Sequence, residues 1–428
     1  MFNRKSAGDV DLDRLCQLRH DLKRDHRLLL DLRAQHNKQS ALLRSLKSDS
    51  NNSNEQEAQK AKSRELKNKI KTLEQSYYQR ERELLNQALM IPNDSHPSSP
   101  IGPEKNAHVM KIVGSPRMNE ERTDHVDIAK TLGILDLEQA ASSSGSSFYY
   151  LQGMGAFLEL ALIQYAMQKA YCKGFFSVMT PDIVRTPLAY RCGFQPRKEE
   201  SSHIYHLKRD EDDKGEEEGL CLVGTAEIPL AGKFASKLLQ ERELPQRLVG
   251  FGHAFRREAG GHGSEPRGLY RVHQFSKVEL FAVTTPEQSE PMMEEIRSLQ
   301  EEMFTELGLC FRVMDMPTEE LGASAYRKYD MEAWMPGRQQ WGEISSTSNC
   351  TDYQARRLSI RYKPRFSQTK KGNTDFCHTL NGTAIAVPRV IIAILETFVQ
   401  EDGSVQIPKV LRKWIPGEPE FITALNKR

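Results

Sequence analysis

The sequence has no cysteine pair spaced to grip a metal. Its seven cysteines (Cys16, Cys172, Cys192, Cys221, Cys310, Cys350 and Cys377) are scattered, without a C-x-x-C pair or a Cys/His spacing of zinc-site type. This argues against a structural zinc and a disulfide framework, and points to reduced thiols in a reducing compartment. No run of about 18 apolar residues occurs, so no membrane-spanning helix is expected. Met1 to Gly8 carries Arg4 and Lys5 but is too short for a convincing signal or transit peptide. An excess of charge is missing too: 60 Lys and Arg stand against 58 Asp and Glu, a formal net charge of +2. Any contact with nucleic acid must come from local basic faces, because the global field is weak. The phosphate-cradling pattern G-x-x-x-x-G-K-[ST] is also absent, which argues against a P-loop ATPase.

What is there begins with a heptad. Leu15, Leu18, Leu22, Leu29, Leu32, Leu43 and Leu46 fall on spacings of three and four, interrupted by the polar Asp25, His36 and Gln39. A second seam runs through Leu66, Ile70, Leu73, Tyr77, Leu84 and Ile91, and the polar stretch Ser48 to Asn54 lies between the two. Two antiparallel helices joined by a polar tip are expected. A helix from Asp11 to Lys47 would be roughly 55 Å long at 1.5 Å per residue, more than a core-packed helix needs, so it should project. Its outer face carries Lys23, Arg24, Arg27, Arg33 and Lys38, and the second helix Lys60, Lys62, Arg64, Lys67, Lys69, Lys71 and Arg80. These are either a solvated face balanced by nearby acids or a phosphate-binding surface.

Pro92 to Pro103, rich in Pro and Ser, ends this arm. Beyond it an apolar helix is expected at Gly155 to Lys173, then a strand-like run at Phe175 to Met179 and Pro181. Strand-like segments recur at Leu220 to Gly224, Leu248 to Arg257, Gly268 to Val283, Phe311 to Met314, Tyr329 to Trp334, Gln340 to Ser346 and Cys377 to Leu380. Strands without regular helical crossovers predict a mostly antiparallel sheet flanked by helices, an α+β fold. The divisions are 1–91 for the coiled-coil arm, 92–115 for a linker and 116–428 for the sheet-based domain.

The most informative segment is F-R-R-E-A-G at Phe255 to Gly260, a charged glycine-rich loop, and R-V-H-Q-F-S-K-V-E-L-F at Arg271 to Phe281. In the second strand, period two places Arg271, Phe275 and Glu279 on one face and Val272, Val278 and Leu280 on the other. On the first, Gly252, Ala254, Arg256 and Glu258 share a face, two small residues beside two charged ones. Alone, this could be a surface hairpin with ion pairs. An arginine for phosphate, an aromatic for a base and a carboxylate for an ammonium are also what a nucleotide and an amino acid together require.

These segments resemble motif 2 of class II aminoacyl-tRNA synthetases in its seryl form. Thr225-Ala226-Glu227, Glu343-Ile344-Ser345-Ser346 continuing as N-C-T-D-Y-Q-A-R-R, and H-T-L-N-G-T-A-I-A-V-P-R at His378 to Arg389 are similar to the same family, the last to motif 3, with Pro181 matching motif 1. The resemblance implies a class II catalytic domain that activates L-serine with ATP and Mg²⁺ and transfers it to tRNA(Ser). It implies serine binding by Thr225, Ala226, Glu227, Arg256, Glu279 and Thr383. Nucleotide binding falls to Arg256, Arg257, Glu258, Val272, Phe275, Glu343, Ile344, Ser345, Ser346 and Arg389, with Mg²⁺ at Glu343 and Ser346. Arg256, Arg389 and Glu343 are then the catalytic set, and no histidine is assigned a catalytic role. It further implies a homodimer through the motif 1 region and tRNA contact through the arm.

Rival readings are a different synthetase, against which stand the short stretch after Glu396, too short for the C-terminal anticodon-binding domain of several class II relatives, and the absence of the His-rich and Lys-rich class I signatures; a carrier-protein ligase, which would not need the basic arm; and a non-catalytic paralogue. The last should have lost its charged site residues, because burying them without ligands is costly. The heptad starts almost at once, where the family places one or two short elements first, which points to a processed, truncated or alternatively started form. The A-I-A-V-P-R wording resembles the bacterial and organellar branch, and the expected compartment is the mitochondrial matrix, with a cytoplasm as the alternative.

Overall fold

The computed structural model describes residues 10–46, 53–117, 123–194, 204–208, 219–257, 268–365 and 374–424. It divides into two compact units, one ending at Ile91 and the other starting at Pro92.

The first unit is a pair of long helices, α1 (Leu12–Leu46) and α2 (Ser53–Leu89). Asp11 starts α1: its carboxylate accepts from the Arg14 N–H at 2.8 Å, satisfying one of the donors a helix start leaves over. Leu15, Leu18, Leu22 and Leu29 are buried, and Leu32, Leu43, Leu66, Ile70, Leu73, Tyr77 and Leu84 are half-buried. The interruptions in the seam each find a partner on the other helix. Asp25 pairs with Arg80, His36 Nε2 lies 3.4 Å from Ser63 Oγ, and Gln39 Nε2 donates to the Gln59 carbonyl at 3.3 Å. Partner numbers on α2 fall as those on α1 rise, so the helices run antiparallel. Most of the expected tip, 48–52, lies outside the described residues.

In the second unit, eight described strands form one sheet: β1 (His108–Val113), β2 (Phe176–Met179), β3 (Gln246–Phe255), β4 (Gln274–Thr284), β5 (Phe311–Asp315), β6 (Arg327–Met335), β7 (Gln340–Asn349) and β8 (His378–Ala386). Their order in space is β1-β5-β6-β7-β8-β4-β3-β2. All neighbours are antiparallel except β2 and β3. The segment 92–115, expected as a linker, contains β1, and Asn93 Nδ2 donates to the carbonyls of Ser324 and Cys350 at 2.9 and 2.8 Å. Leu220–Leu222 pairs with Ile183–Arg185 in a separate small sheet.

Three helices cover one face of the large sheet: α3 (Met154–Cys172), α5 (Pro286–Glu306) and α7 (Val387–Phe398), while the short α4 (Glu227–Gly232) and α6 (Tyr353–Leu358) lie elsewhere in the unit. Leu158, Ala161, Leu162, Tyr165 and Ala166 put a helical stripe of α3 into the core. Thr285 and Gln288 form a capping box ahead of Pro286 at the start of α5. Helix α7 continues directly from β8 and is buried nearly all round. Val278, Leu280 and Ala282 of β4 join this core, whereas Phe281 and Val283 pack with Ile228 and Leu230 of α4 in a second cluster. By the same alternation Phe275, Lys277 and Glu279 face away from the three helices.

Two glycines in β3 set how closely other chain segments approach that second face. A β-carbon at Gly252 would stand 2.8 Å from Thr180 Oγ1 and 3.1 Å from Asp182 Oδ1, and one at Gly250 would stand 3.0 Å from Leu230 Cδ1.

Candidate active site

The second face of the sheet holds a cleft lined by Arg256, Leu269, Tyr270, Arg271, Val272, Phe275, Lys277, Glu343 to Ser346, Thr383, Ala386, Pro388 and Arg389. Four chain segments distant in sequence therefore meet: the end of β3, the approach to β4, the middle of β7, and the run from β8 into α7. The strand expected to begin at Gly268 begins only at Gln274. Arg271 and Val272 precede it in irregular chain, so the two-residue alternation does not separate them and both line the cleft. Leu269 is fixed at its own N–H by His125 Nε2 at 3.2 Å, while His125 Nδ1 lies 3.2 Å from Glu396 Oε1.

At one end of the cleft Arg389 acts as a clamp. Its Nη1 donates to the Glu343 carbonyl at 2.9 Å and to Glu343 Oε2 at 3.2 Å, its Nε donates to the Tyr270 carbonyl at 3.3 Å, and its guanidinium lies 4.6 Å from the Tyr270 ring centre. Arg338 stacks on the same ring at 4.1 Å. Burial would push the Glu343 carboxyl up, but Lys328, Arg389 and Arg256 outweigh it and draw it well below the usual carboxylate range. Ser346 stands opposite Asp330 in the β6–β7 ladder, and Lys328 Nζ is 2.7 Å from Asp330 Oδ2. Burial pushes Asp330 the other way, upward, against the pull of Lys328. Ile344 is in the helix-side core, and Ser345 Oγ donates to the Thr383 carbonyl at 2.5 Å, so these two shape the wall from behind.

Among the described residues no three His, Cys, Asp or Glu side chains gather into a cage for a metal ion. Glu343 with the Ser346 hydroxyl is the open kind of donor pair that serves Mg²⁺ when phosphate oxygens and water complete its shell.

In the middle, the Arg256 guanidinium lies 5.4 Å from the Phe275 ring centre, and its Nε donates to the Gly224 carbonyl at 3.3 Å. Ala254 is the partner of Phe275 across the ladder and Gly252 that of Lys277, so small residues stand opposite large ones. Arg257 is exposed and absent from the lining, and Glu258 lies outside the described residues.

Behind Lys277 and Thr383 of the lining lie Thr225, Glu227 and Glu279, which are buried and do not themselves line the cleft. Thr383 faces Glu279 directly across the β8–β4 ladder. Lys277, which the sequence reading passed over, ties the group together: its Nζ is 2.7 Å from Glu279 Oε2 and donates to Thr225 Oγ1 at 3.2 Å. Glu279 Oε2 has that ion pair but no aligned hydrogen bond among the described residues, which leaves it able to accept from a ligand donor as well. Glu227, the first residue of α4, is pushed up to about 7 by burial and by Glu279, with Gln354, Lys277 and Arg256 opposing. Ala226 caps that helix and is buried. Lys277 was legible: it shares the period-two face already assigned to Phe275 and Glu279.

The described histidines around the cleft have structural partners. His253 binds Asp182 at 3.0 Å, His273 meets Tyr205 at 2.9 Å, and His378 meets Ser289 at 3.0 Å.

On the helical unit, some basic residues are answered by acids: Arg33 by Glu74 at 2.7 Å, Arg24 by Asp21 at 3.2 Å, Lys69 by Glu65 at 2.6 Å, and Arg80 by Asp25. Lys23, Arg27, Lys38, Lys60, Arg64, Lys67 and Lys71 are exposed and make no ion pair among the described residues.

A family model for the class II tRNA synthetase core domain (G, H, P, S and T) matches residues 205–398. The serine–tRNA ligase of Rubrobacter xylanophilus is 46% identical over 358 residues, 83% of this chain and 81% of that protein. The mitochondrial serine–tRNA ligase of Mus musculus is 44% identical over 359 residues, 83% of this chain and 67% of that protein. Among solved structures, the seryl-tRNA synthetase from Pyrococcus horikoshii complexed with ATP is 34% identical with a TM-score of 0.78, covering 97% of this chain and 93% of that one. The cytoplasmic serine–tRNA ligase from Naegleria fowleri in complex with AMP is 29% identical with a TM-score of 0.73, covering 96% and 92%.

Proposed function

Because this chain belongs to the seryl-tRNA synthetase family and is therefore a serine–tRNA ligase, we propose that the cleft joins serine to ATP as a seryl-adenylate and releases pyrophosphate. The observation that carries the reading is the convergence of Arg256, Phe275, Glu279, Glu343, Thr383 and Arg389 around one cleft and its floor.

A serine carboxylate is already a nucleophile at neutral pH, so no general base is needed. Its oxygen forms a bond to the α-phosphorus while the bond from that phosphorus to the bridging oxygen of pyrophosphate breaks. Arg256 neutralises charge at the α-phosphate, Arg389 grips the γ-phosphate, and Phe275 stacks on adenine beside Val272. Mg²⁺ held by Glu343 and Ser346 would neutralise the phosphates. Glu227, Glu279, Thr225 and Thr383 take the ammonium and hydroxyl of serine, and alanine would leave those buried groups unpaired.

ATP–pyrophosphate exchange without tRNA, run with serine, threonine, alanine and glycine, tests this. Exchange that depends on serine alone is expected. Its absence with every amino acid, in folded protein, would move the chain to a non-catalytic relative.

The helical unit is the binding surface for tRNA(Ser), supported by exposed lysines and arginines that make no ion pair among the described residues. The protein is a homodimer through α3 and β2. Phe157, Leu160, Tyr171, Phe176 and Met179 expose apolar area there that a second copy would cover. Phe176→Glu is expected to leave a monomer in sedimentation velocity, and an unaltered dimer would place the interface elsewhere. For the compartment we favour the mitochondrial matrix, on the motif 3 wording and the likeness to mitochondrial ligases of Mus musculus and Schizosaccharomyces pombe. Imaging of the tagged full-length protein separates this from a cytoplasm.

A further inference from the structure

Beneath the serine pocket runs a chain of polar side chains to which the reading above gives no role. Thr379, on β8, donates its hydroxyl to Gln354 Oε1 at 2.7 Å. The Cys192 carbonyl and the ionised Glu227 carboxylate can only accept, so they hold the amide's Nε2 toward themselves and leave its oxygen to the Thr379 hydroxyl. The other end, Gln354 Nε2, donates to Glu227 Oε1 at 2.6 Å and to the Cys192 carbonyl at 3.3 Å. Asn381 Nδ2 reaches the same Glu227 oxygen at 2.9 Å. Thr379 and Gln354 are fully buried and Asn381 nearly so. Both amides thus land on Oε1, and Glu227 Oε2 takes no hydrogen bond among the described residues.

We propose that Gln354, oriented by Thr379, is a positioning residue for substrate recognition: with Asn381 it occupies one oxygen of Glu227 and leaves the other, as an anion, to receive the ammonium of serine. This rests on the placement of Glu227 in the serine pocket and assigns the residues that hold it there. Glutamine packed only to fill space would not need its amide fixed by a third residue. Leaving that amide unpaired in a buried site would instead be costly, so its partner is specified.

The charged and titratable groups that face Glu227 are Glu279 and Lys277 from β4, Arg256 beyond β3, and the Cys192 thiol. With burial and Glu279 raising its carboxyl to about 7, Glu227 exchanges its proton near neutrality. A hydrogen bond from Gln354 favours the charged form, so removing it moves that exchange to higher pH. Below the midpoint Glu227 is neutral and a poor partner for an ammonium. Serine kcat/KM should therefore rise with pH through the midpoint, and the rise should come later when Gln354 is lost.

The test is ATP–pyrophosphate exchange by the full-length protein across neutral pH, with Gln354→Leu, Thr379→Val, Thr379→Ser and Glu227→Gln. Gln354→Leu is expected to raise KM for serine roughly 10- to 100-fold with KM for ATP and kcat little changed, and to shift the pH midpoint upward. Thr379→Val should act in the same direction by about threefold to tenfold, and Thr379→Ser should restore the parent values. Equal losses for serine and ATP, or an unmoved pH midpoint, would reduce Gln354 to a packing residue. Should Gln354→Leu not fold, the two Thr379 variants decide, since they differ in a hydroxyl at nearly constant volume. Glu227→Gln separates the two levels of argument. If it leaves KM for serine unchanged, the serine-pocket reading falls; if it raises KM while Gln354→Leu and Thr379→Val do nothing, only the positioning role falls.

Discussion

In the helical unit a polar residue in the seam is answered by one residue on the facing helix: Asp25 by Arg80, His36 by Ser63, Gln39 by Gln59. In the sheet-based unit, Glu227 is answered by Gln354 and Asn381, 127 and 154 residues away, and each of those is engaged by further groups. The first arrangement is a row of separate pairs, set by two helical registers. The second is a network that exists only once four distant segments have met. Losses in the first should therefore be local and small, and losses in the second shared and large.

The largest effect expected is Arg256→Ala. It should lower serine-dependent exchange by a factor on the order of 10³, with tRNA affinity nearly unchanged in filter binding. Comparable loss of tRNA affinity would break the separation between the units. Next, replacing Lys60, Lys67 and Lys71 together by alanine should weaken tRNA binding and reduce its salt slope by about 1 per lysine, with exchange intact. An unchanged slope would return these lysines to a merely solvated face. The smallest is Asp25→Leu. Because Arg80 is more than a third exposed and can turn to water, the change in stability should be about 1 kcal/mol or less, read from thermal melts. A loss several times larger would mean that the helical seam is a network too.

The same contrast explains what could be read from the sequence. The heptad placed α1 within a residue of its ends, because helical burial repeats locally and Asp11 marks the start. The strand at Gln340 was placed at its first residue but continues to Asn349, past the motif where apolar alternation gives way to Ser and Thr. Motif residues such as Arg256, Glu343 and Arg389 were found by resemblance, and the cleft brings them together. Arg271 was assigned a strand face it does not have, since irregular chain runs up to Gln274. Gln354 stood inside a quoted motif without a role, and Lys328 and Asp330 outside any. Their meaning depends on which strand lies beside which, and no local pattern carries that information.

The glycines of β3 have a further consequence. At Gly250 and Gly252, Thr180, Asp182 and Leu230 come close enough that a β-carbon would displace them. Leu230 belongs to α4, whose first residue is Glu227, so the distance between that helix and the sheet is measured out by missing atoms. The pocket's dimensions are in this sense a layer spacing, like the gap between two plates held by a thin washer. An alanine at 250 would touch neither Glu227 nor Asn381, yet it would thicken the washer by pressing on the Leu230 and Thr180 side chains, so the room beside the helix that carries Glu227 is written partly in β3.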